Sequence, residues 1–183
     1  MSASVRSATG DDVAALGQLL GDCVRDGASV GYLADVDVAT TEAFWRARLA
    51  DTDALVLVAD LDGDPDGVRD DGRVDGRVVG TVTLLPATMP NGRHRAEVSK
   101  LLVAPPARGR GVARLLLRAL EAEALDRGCW LLLLDTQTGS AAEGRYAAGG
   151  WEVMGVPPDH AATPDGVLQP TTFMSKRLTR PGR

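Results

Sequence analysis

Apolar residues recur along this chain with two periods. From Asp11 to Val24 they fall at Val13, Leu16, Leu19, Leu20 and Val24, the spacing of one helix face. From Gly111 to Arg127 the same spacing returns, with Val112, Leu116, Leu120 and Ala124 on one side and Arg114, Arg118 and Glu121 on the other, and Gly128 is placed to end the helix. Thr41 to Ala50 reads as a further helix and Ala141 to Ala148 as a short one. The segments Ser4–Arg6, Ala54–Leu61, Arg77–Leu85, Arg95–Val103, Trp130–Asp135, Trp151–Val156 and Thr171–Leu178 read as strands. The leucines 131–134 form a near-continuous apolar run, as in a strand covered on both faces. Between the second and third strands, Asp62 to Gly76 is Asp, Gly and Arg with little else, which predicts a lengthened, mobile hairpin loop.

The resulting order, β-α-α-β-β-β-α-β-α-β-β, predicts an α/β sandwich with a mixed sheet. The strand–helix–strand unit at 98–135 is expected to cross over right-handed. There is no internal repeat and no sign of a second domain, so a single domain over 1–183 is the expectation. At 183 residues and 44% hydrophobic content, the chain can bury one sizeable core. No apolar run approaches the ~20 residues that span a bilayer, and the N-terminus lacks an export signal, so a cytoplasmic protein without membrane contact is expected. Cys23 and Cys129 lie far apart without metal-ligand spacing and are expected as free thiols, with no metal site. The net charge of -5 argues against nucleic acid as a partner.

The chemistry concentrates around Arg108-Gly109-Arg110-Gly111-Val112-Ala113, between a strand with a Pro-containing turn and the long helix. Two glycines allow close backbone approach, and the helix start adds unpaired N–H groups and the positive end of the macrodipole. Such a cradle suits a phosphate or pyrophosphate. Gly109, Gly111 and Arg114 give G-x-G-x-x-R, and Asp135 falls near a ribose-binding position, so a Rossmann dinucleotide site is the competing reading. Against it stand the arginine in place of the third glycine, the Pro-Pro turn before the glycines and the antiparallel strands upstream. A P-loop is excluded because no Gly-Lys-Ser/Thr follows.

Arg108, Gly111 and Ala113 fall in register with the acyl-CoA signature of the GCN5-related N-acetyltransferases, which the chain resembles along essentially its whole length. That resemblance implies a mostly antiparallel central sheet flanked by helices and splayed between the fourth and fifth strands. It implies acetyl-CoA as co-substrate, held by Leu101, Leu102 and Val103 along the fourth strand and by Arg108, Gly109, Arg110, Gly111, Val112 and Ala113 at the cradle. The stretch from Leu134 to Glu143, with Tyr146, Gly150-Trp151, Pro158-Asp159, Pro164-Asp165-Gly166 and Thr171-Thr172-Phe173, is most similar to tabtoxin-resistance-type acetyltransferases of that superfamily. In that group a Glu on the fourth strand and an Asp ending the fifth are implicated in taking the amine proton, which here points to Glu97 and Asp135. The Asn common in the broad family seven residues before Tyr146 is Gly139 here, which leaves Thr136 or Ser140 as substitutes. A homodimer is the prior from the family and from the frequency of twofold assemblies.

An amine is mostly ammonium at neutral pH, so attack on a thioester needs a proton acceptor. Strand alternation places Glu97, Ser99, Leu101 and Val103 on one face, where a partly buried carboxylate would have its pKa raised. Asp135 closes an apolar strand, where open α/β sheets present ligand-facing groups. Tyr146 is the candidate acid for the departing thiolate. The structural alternatives are a solvated Glu97 paired with Arg93 or Arg95, a turn or cap role for Asp135, and a packed aromatic at Tyr146. His94 and His160 read as surface histidines and Phe44 and Trp45 as core, although the resemblance implies that their helix and the Val30-Gly31-Tyr32 loop wall the acceptor pocket. Lys100 and Arg110 are read as solvated charge, with phosphate contacts as the alternative, and Arg177, Arg180 and Arg183 as a solvated tail. The predicted function is acetyl transfer from acetyl-CoA to the primary amine of a small molecule by direct attack in a ternary complex. A non-catalytic acyl-CoA-binding sensor is the alternative.

Overall fold

The computed structural model describes residues 3–61 and 77–179; the predicted hairpin loop, and Arg180 and Arg183, lie outside them. In chain order the elements are β1 (Ala3–Ser7), α1 (Val13–Arg25), α2 (Val38–Ala50), β2 (Leu55–Leu61), β3 (Arg77–Pro86), β4 (Arg95–Val103), α3 (Val112–Asp126), β5 (Leu131–Gln137), α4 (Ala141–Ala148), β6 (Glu152–Gly155), β7 (Ala161–Ala162), β8 (Leu168–Gln169) and β9 (Thr171–Arg177). Seven strands form one sheet in the order β1-β2-β3-β4-β5-β9-β6, while β7 and β8 make a separate two-stranded ribbon. All neighbouring pairs are antiparallel except β4 with β5. The α/β architecture with a mostly antiparallel sheet is the one predicted.

Alternation along β2 shows how the layers are built. Leu55, Leu57 and Ala59 join the cluster around Val112, Leu116, Leu120 and Ala124 of α3. Val56 and Val58 join Leu16, Leu19, Leu20 and Val24 of α1 and Trp45 of α2. Successive strand residues point to opposite faces, so α3 covers one face and α1 with α2 the other. Leu116 and Leu120 are fully buried, each contributing about 1.5–3 kcal/mol of transfer free energy. Gly80 of β3 sets how closely α3 approaches, since a Cβ there would meet Val112 Cγ1 at 2.9 Å, the Leu102 carbonyl oxygen at 3.0 Å and Leu116 Cδ1 at 3.0 Å.

Three local features differ from the sequence reading. Helix α2 begins three residues before Thr41, because the Asp37 carboxylate accepts the Thr40 N–H at 2.7 Å and caps it. The Pro-rich stretch after β6 carries the β7–β8 ribbon, too short to leave a periodic signal. Arg177 belongs to β9 and stacks on Trp130, 5.3 Å from the ring centroid, so it is not part of a solvated tail. Cys23 and Cys129 are both buried free thiols. No helix among the described residues is long and apolar enough to cross a membrane.

Candidate active site

Strands β4 and β5 are joined only over Arg95–Leu131, Ala96–Leu132 and Glu97–Leu133. Beyond Glu97 the two part, and each continues alone on that side, β4 to Val103 and β5 to Gln137. An unpaired strand edge presents backbone N–H and C=O groups in a row. This edge leads directly into the turn 104–111. There Gly109 and Gly111 take φ of 77° and 84°, a region closed to most L-residues. Gly111 caps α3 in this left-handed conformation, and the first intrahelical bond runs from the Leu115 N–H to the Gly111 carbonyl. The first N–H groups of α3 therefore have no intrahelical acceptor, and the neighbouring side chains of Arg110 and Arg114 are exposed. The turn and helix start that the sequence reads at Arg108 to Ala113 are formed, and the space a Cβ at Gly109 would take is open.

The Arg108 side chain turns away from this cradle. Its guanidinium bonds the Asp26 carboxylate at the end of α1, and its Nε donates to the Val103 carbonyl at 3.2 Å. The Cys23 thiol also reaches that carbonyl, at 3.6 Å. Arg108 thus braces the turn against α1.

A β-bulge changes the predicted faces of β4. Thr83 opposes Ser99 and Thr81 opposes Leu102, so Lys100 and Leu101 share the place opposite Val82, and Lys100 takes a φ of 51°. Before the bulge Ala96 and Val98 face the α3 cluster; after it Leu101 and Val103 do. The expectation that Glu97, Ser99, Leu101 and Val103 share one face is therefore wrong, because one extra residue inverts the alternation. Glu97 is exposed, not partly buried.

Asp135 is the fifth of seven residues in β5, opposite Phe173 of β9, so it does not close the strand as predicted. It lies two residues beyond Leu133, just inside the splay, and is exposed there. Tyr146 of α4 is 8% exposed and packs edge-on against Trp151 with centroids 5.7 Å apart. Burial, and next the nearby Asp135 charge, push its phenol up to about 12. The structure therefore makes Tyr146 a packed aromatic and also a neighbour of Asp135.

Helix α4 is fixed at its start by a reciprocal cap. Ser140 Oγ accepts the Glu143 N–H at 3.2 Å, and Glu143 accepts the Gly139 N–H at 2.6 Å and the Thr172 hydroxyl at 2.7 Å. Ser140 is thus engaged in capping, and Thr136 approaches it at 3.5 Å.

Around Phe44 of α2 the structure adds Arg48, a residue the sequence reading did not single out, and gives Lys100 a different setting. Lys100 is not solvated surface charge: its ammonium lies 5.3 Å from the Phe44 ring centroid, and the guanidinium carbon of Arg48 lies 5.6 Å from the same ring. Burial pulls the Lys100 ammonium below the ordinary lysine range; Asp135 and Glu97 oppose this, and Arg48 adds to it. Trp45 is core, as expected, but Phe44 is half-buried beneath these two cations. Tyr32 meets Phe44 edge-on at 6.1 Å. The loop carrying Tyr32 is tied to the loop after β6: Ser29 Oγ donates to the Ala162 carbonyl at 3.0 Å, and the Ala34 N–H to the Pro164 carbonyl at 2.9 Å. The β7–β8 ribbon brings His160 edge-on to Phe173 at 5.0 Å, whereas His94 stacks on Trp130 at 4.8 Å. A separate surface hollow of about 590 Å³, lined by Gly10, Val13, Glu42 and Arg46 among others, receives no residue from β4, β5 or the cradle.

A family model described as the acetyltransferase (GNAT) family matches residues 37–148. The chain belongs to this family.

GNAT enzymes use acetyl-CoA as co-substrate, and this chain is an acyltransferase of that kind. Similar solved structures include a ribosomal-protein-alanine N-acetyltransferase from Brucella melitensis, with 28% identity, a TM-score of 0.74, and 96% of this chain and 99% of that one covered. The yncA protein from Salmonella typhimurium, assigned as an acetyltransferase and solved with its cofactor acetyl-CoA, has 23% identity and a TM-score of 0.73, with coverage of 100% and 98%. A GCN5-related N-acetyltransferase from Kribbella flavida has 23% identity and a TM-score of 0.75, with coverage of 96% and 98%. The dinucleotide-binding reading falls with this GNAT membership. The glycines open a helix N-terminus as a Rossmann fingerprint would, but the strand before them belongs to an antiparallel run.

Proposed function

We propose that this GNAT enzyme acetylates the primary amine of a small molecule by direct attack within a ternary complex. The observation that supports the reading is the splay after Glu97–Leu133, which leaves a β4 edge without a β5 partner leading into the glycine turn, with Glu97 on one strand and Asp135 on the other. The edge at Leu101, Leu102 and Val103 bonds the pantetheine arm as a further strand. The backbone of Gly109, Arg110, Gly111, Val112 and Ala113 takes the pyrophosphate, and Arg108 holds the turn in place.

At the reacting end, Asp135, with Glu97 beside the start of the splay, accepts the proton from the attacking amine, directly or through one water. A carbon–nitrogen bond forms at the acetyl carbonyl and the carbon–sulfur bond breaks, with its electron pair leaving on sulfur. Tyr146 returns a proton to that thiolate. Burial keeps the phenol in its protonated form at neutral pH, and by raising its pKa also makes it a weaker donor than an unshifted tyrosine.

A small acceptor is supported by the two hydrogen bonds that tie the 29–34 segment to 162–164, since they narrow the approach along the α2 side. The similarity of 134–143 and 157–173 to tabtoxin-resistance-type enzymes points the same way. The name of the Brucella relative raises an alanine of a ribosomal protein as the other acceptor class. A thiol-release screen with acetyl-CoA against amino acids, polyamines, aminoglycosides and N-terminal peptides tests the proposal. Turnover with a small amine is expected; turnover confined to peptides, or CoA release with none of them, would overturn it.

A further inference from the structure

Lys100 and Arg48 have no part in the transfer chemistry just described, yet both are held at the acceptor side of the splay. Lys100 occupies the β4 bulge with a φ of 51°, which aims it out of the strand's regular alternation. A Cβ added at Gly31 would lie 3.9 Å from its Nζ, so the loop before α2 closes over the ammonium. Both cations lie within 6 Å of the Phe44 centroid, at 5.3 and 5.6 Å. Among the described residues no carboxylate is within ion-pair distance of Lys100; Glu97 and Asp135 act on it only from farther away. Arg48 has a buried Nε without an acceptor, and its Nη1 makes only a 3.5 Å contact with Asp51.

Both charges neighbour one ring and are partly removed from water, Arg48 acts on Lys100 as a like charge, and among the described residues the ion contact of the two is that of Arg48 with Asp51. Stacking on Phe44 offsets part of the lost hydration. What the arrangement lacks is an anion that accepts from both, the strongest kind of hydrogen-bonded pair available to them. We infer that Lys100 and Arg48 form an anion subsite of the acceptor pocket, so that the acceptor is a small amine that also carries an acidic group. The acid sits over Phe44 between the two cations, and the amine extends toward Asp135 and Glu97. This inference rests on the transfer reading above and adds a substrate class to it.

The test compares matched amines with the full chain: α-amino carboxylates and aminoalkylphosphonates against their carboxamides and the amines that lack the acid. Two readouts are taken, binding to the CoA-loaded protein by calorimetry and thiol release with acetyl-CoA. The acids are expected to bind, and at least one class, carboxylate or phosphonate, to be preferred by at least about tenfold in kcat/KM. Lys100→Met should erase that preference mainly through KM. Lys100→Arg should retain most of it, and acetyl-CoA binding by both variants serves as the folding control. Amides or acid-free amines equal to the acids, no binding of any acid at millimolar concentration, or an unchanged preference in Lys100→Met would each overturn the subsite. Acids that bind through Lys100 without any thiol release would instead refute the transfer and leave the subsite standing.

Discussion

Glu97 and Leu133 are the last residues at which β4 and β5 face each other, and everything assigned to the site follows from their separation one step later. On the β4 side, the parting releases a strand edge that runs into the glycine turn. On the β5 side, it exposes Asp135, which a continued parallel pair would have covered on one edge.

If Asp135 and Glu97 carry the amine proton, Asp135→Asn and Glu97→Gln should lower kcat while acetyl-CoA affinity survives. Losses of about 10²-fold or more are expected for the residue that contacts the amine. Steady-state kinetics across pH 6 to 9 with calorimetric cofactor titration checks this. Full activity in both variants would remove the carboxylates from the mechanism.

The cradle depends on Gly111 at a φ of 84°. A Cβ there costs about 1–2 kcal/mol in the left-handed region, and relief of that strain would rotate the N–H groups of the turn. Gly111→Val should therefore lower the melting temperature slightly and weaken acetyl-CoA at least about tenfold. Unaltered cofactor affinity in a folded variant would mean that the turn does not hold the phosphates.

Gly80→Ala tests the packing that places the cradle. The added methyl meets a backbone carbonyl at 3.0 Å as well as Val112 and Leu116, so α3 must move away from β3. Overpacking of this kind costs typically about 1–3 kcal/mol. Thermal unfolding should show the loss, and cofactor binding should weaken with it, although Gly80 belongs to a buried strand and not to the cradle.

Tyr146 gives a pH signature. Its phenol is raised from 10.0 to about 12 in the folded chain, so the folded state holds this proton more tightly than the unfolded one. The stabilisation is fully present below pH 10 and is lost as pH rises toward 12, about 2–3 kcal/mol in all. Alkaline unfolding of Tyr146→Phe should lack that slope. The same variant should turn over more slowly at neutral pH; an unchanged rate would leave Tyr146 only its packing against Trp151.

Those parts of the site that depend on short-range pattern are legible in the sequence. Arg108 to Ala113 announce a turn and a helix start because glycine and the apolar period act locally. The strands that carry Glu97 and Asp135 follow from the same kind of periodicity. The bulge at Lys100 is not legible, since nothing in Ser99-Lys100-Leu101 marks an extra residue until β3 imposes its register. Arg48 carries no local signal at all, and its place beside Lys100 at the Phe44 ring appears only once β4 packs near α2. The brace from Arg108 to Asp26 joins residues 82 positions apart, a relationship that no local pattern reveals.

Direct transfer from acetyl-CoA to a small amine within this cleft leaves a chemical trace that mass spectrometry can follow with an isotopically labelled acetyl group. Label should appear in the acetylated amine, matched mole for mole by free CoA, with the protein itself unlabelled at every time point. Label residing on the chain during turnover, or released only as free acetate while the amine stays unmodified, would contradict direct transfer.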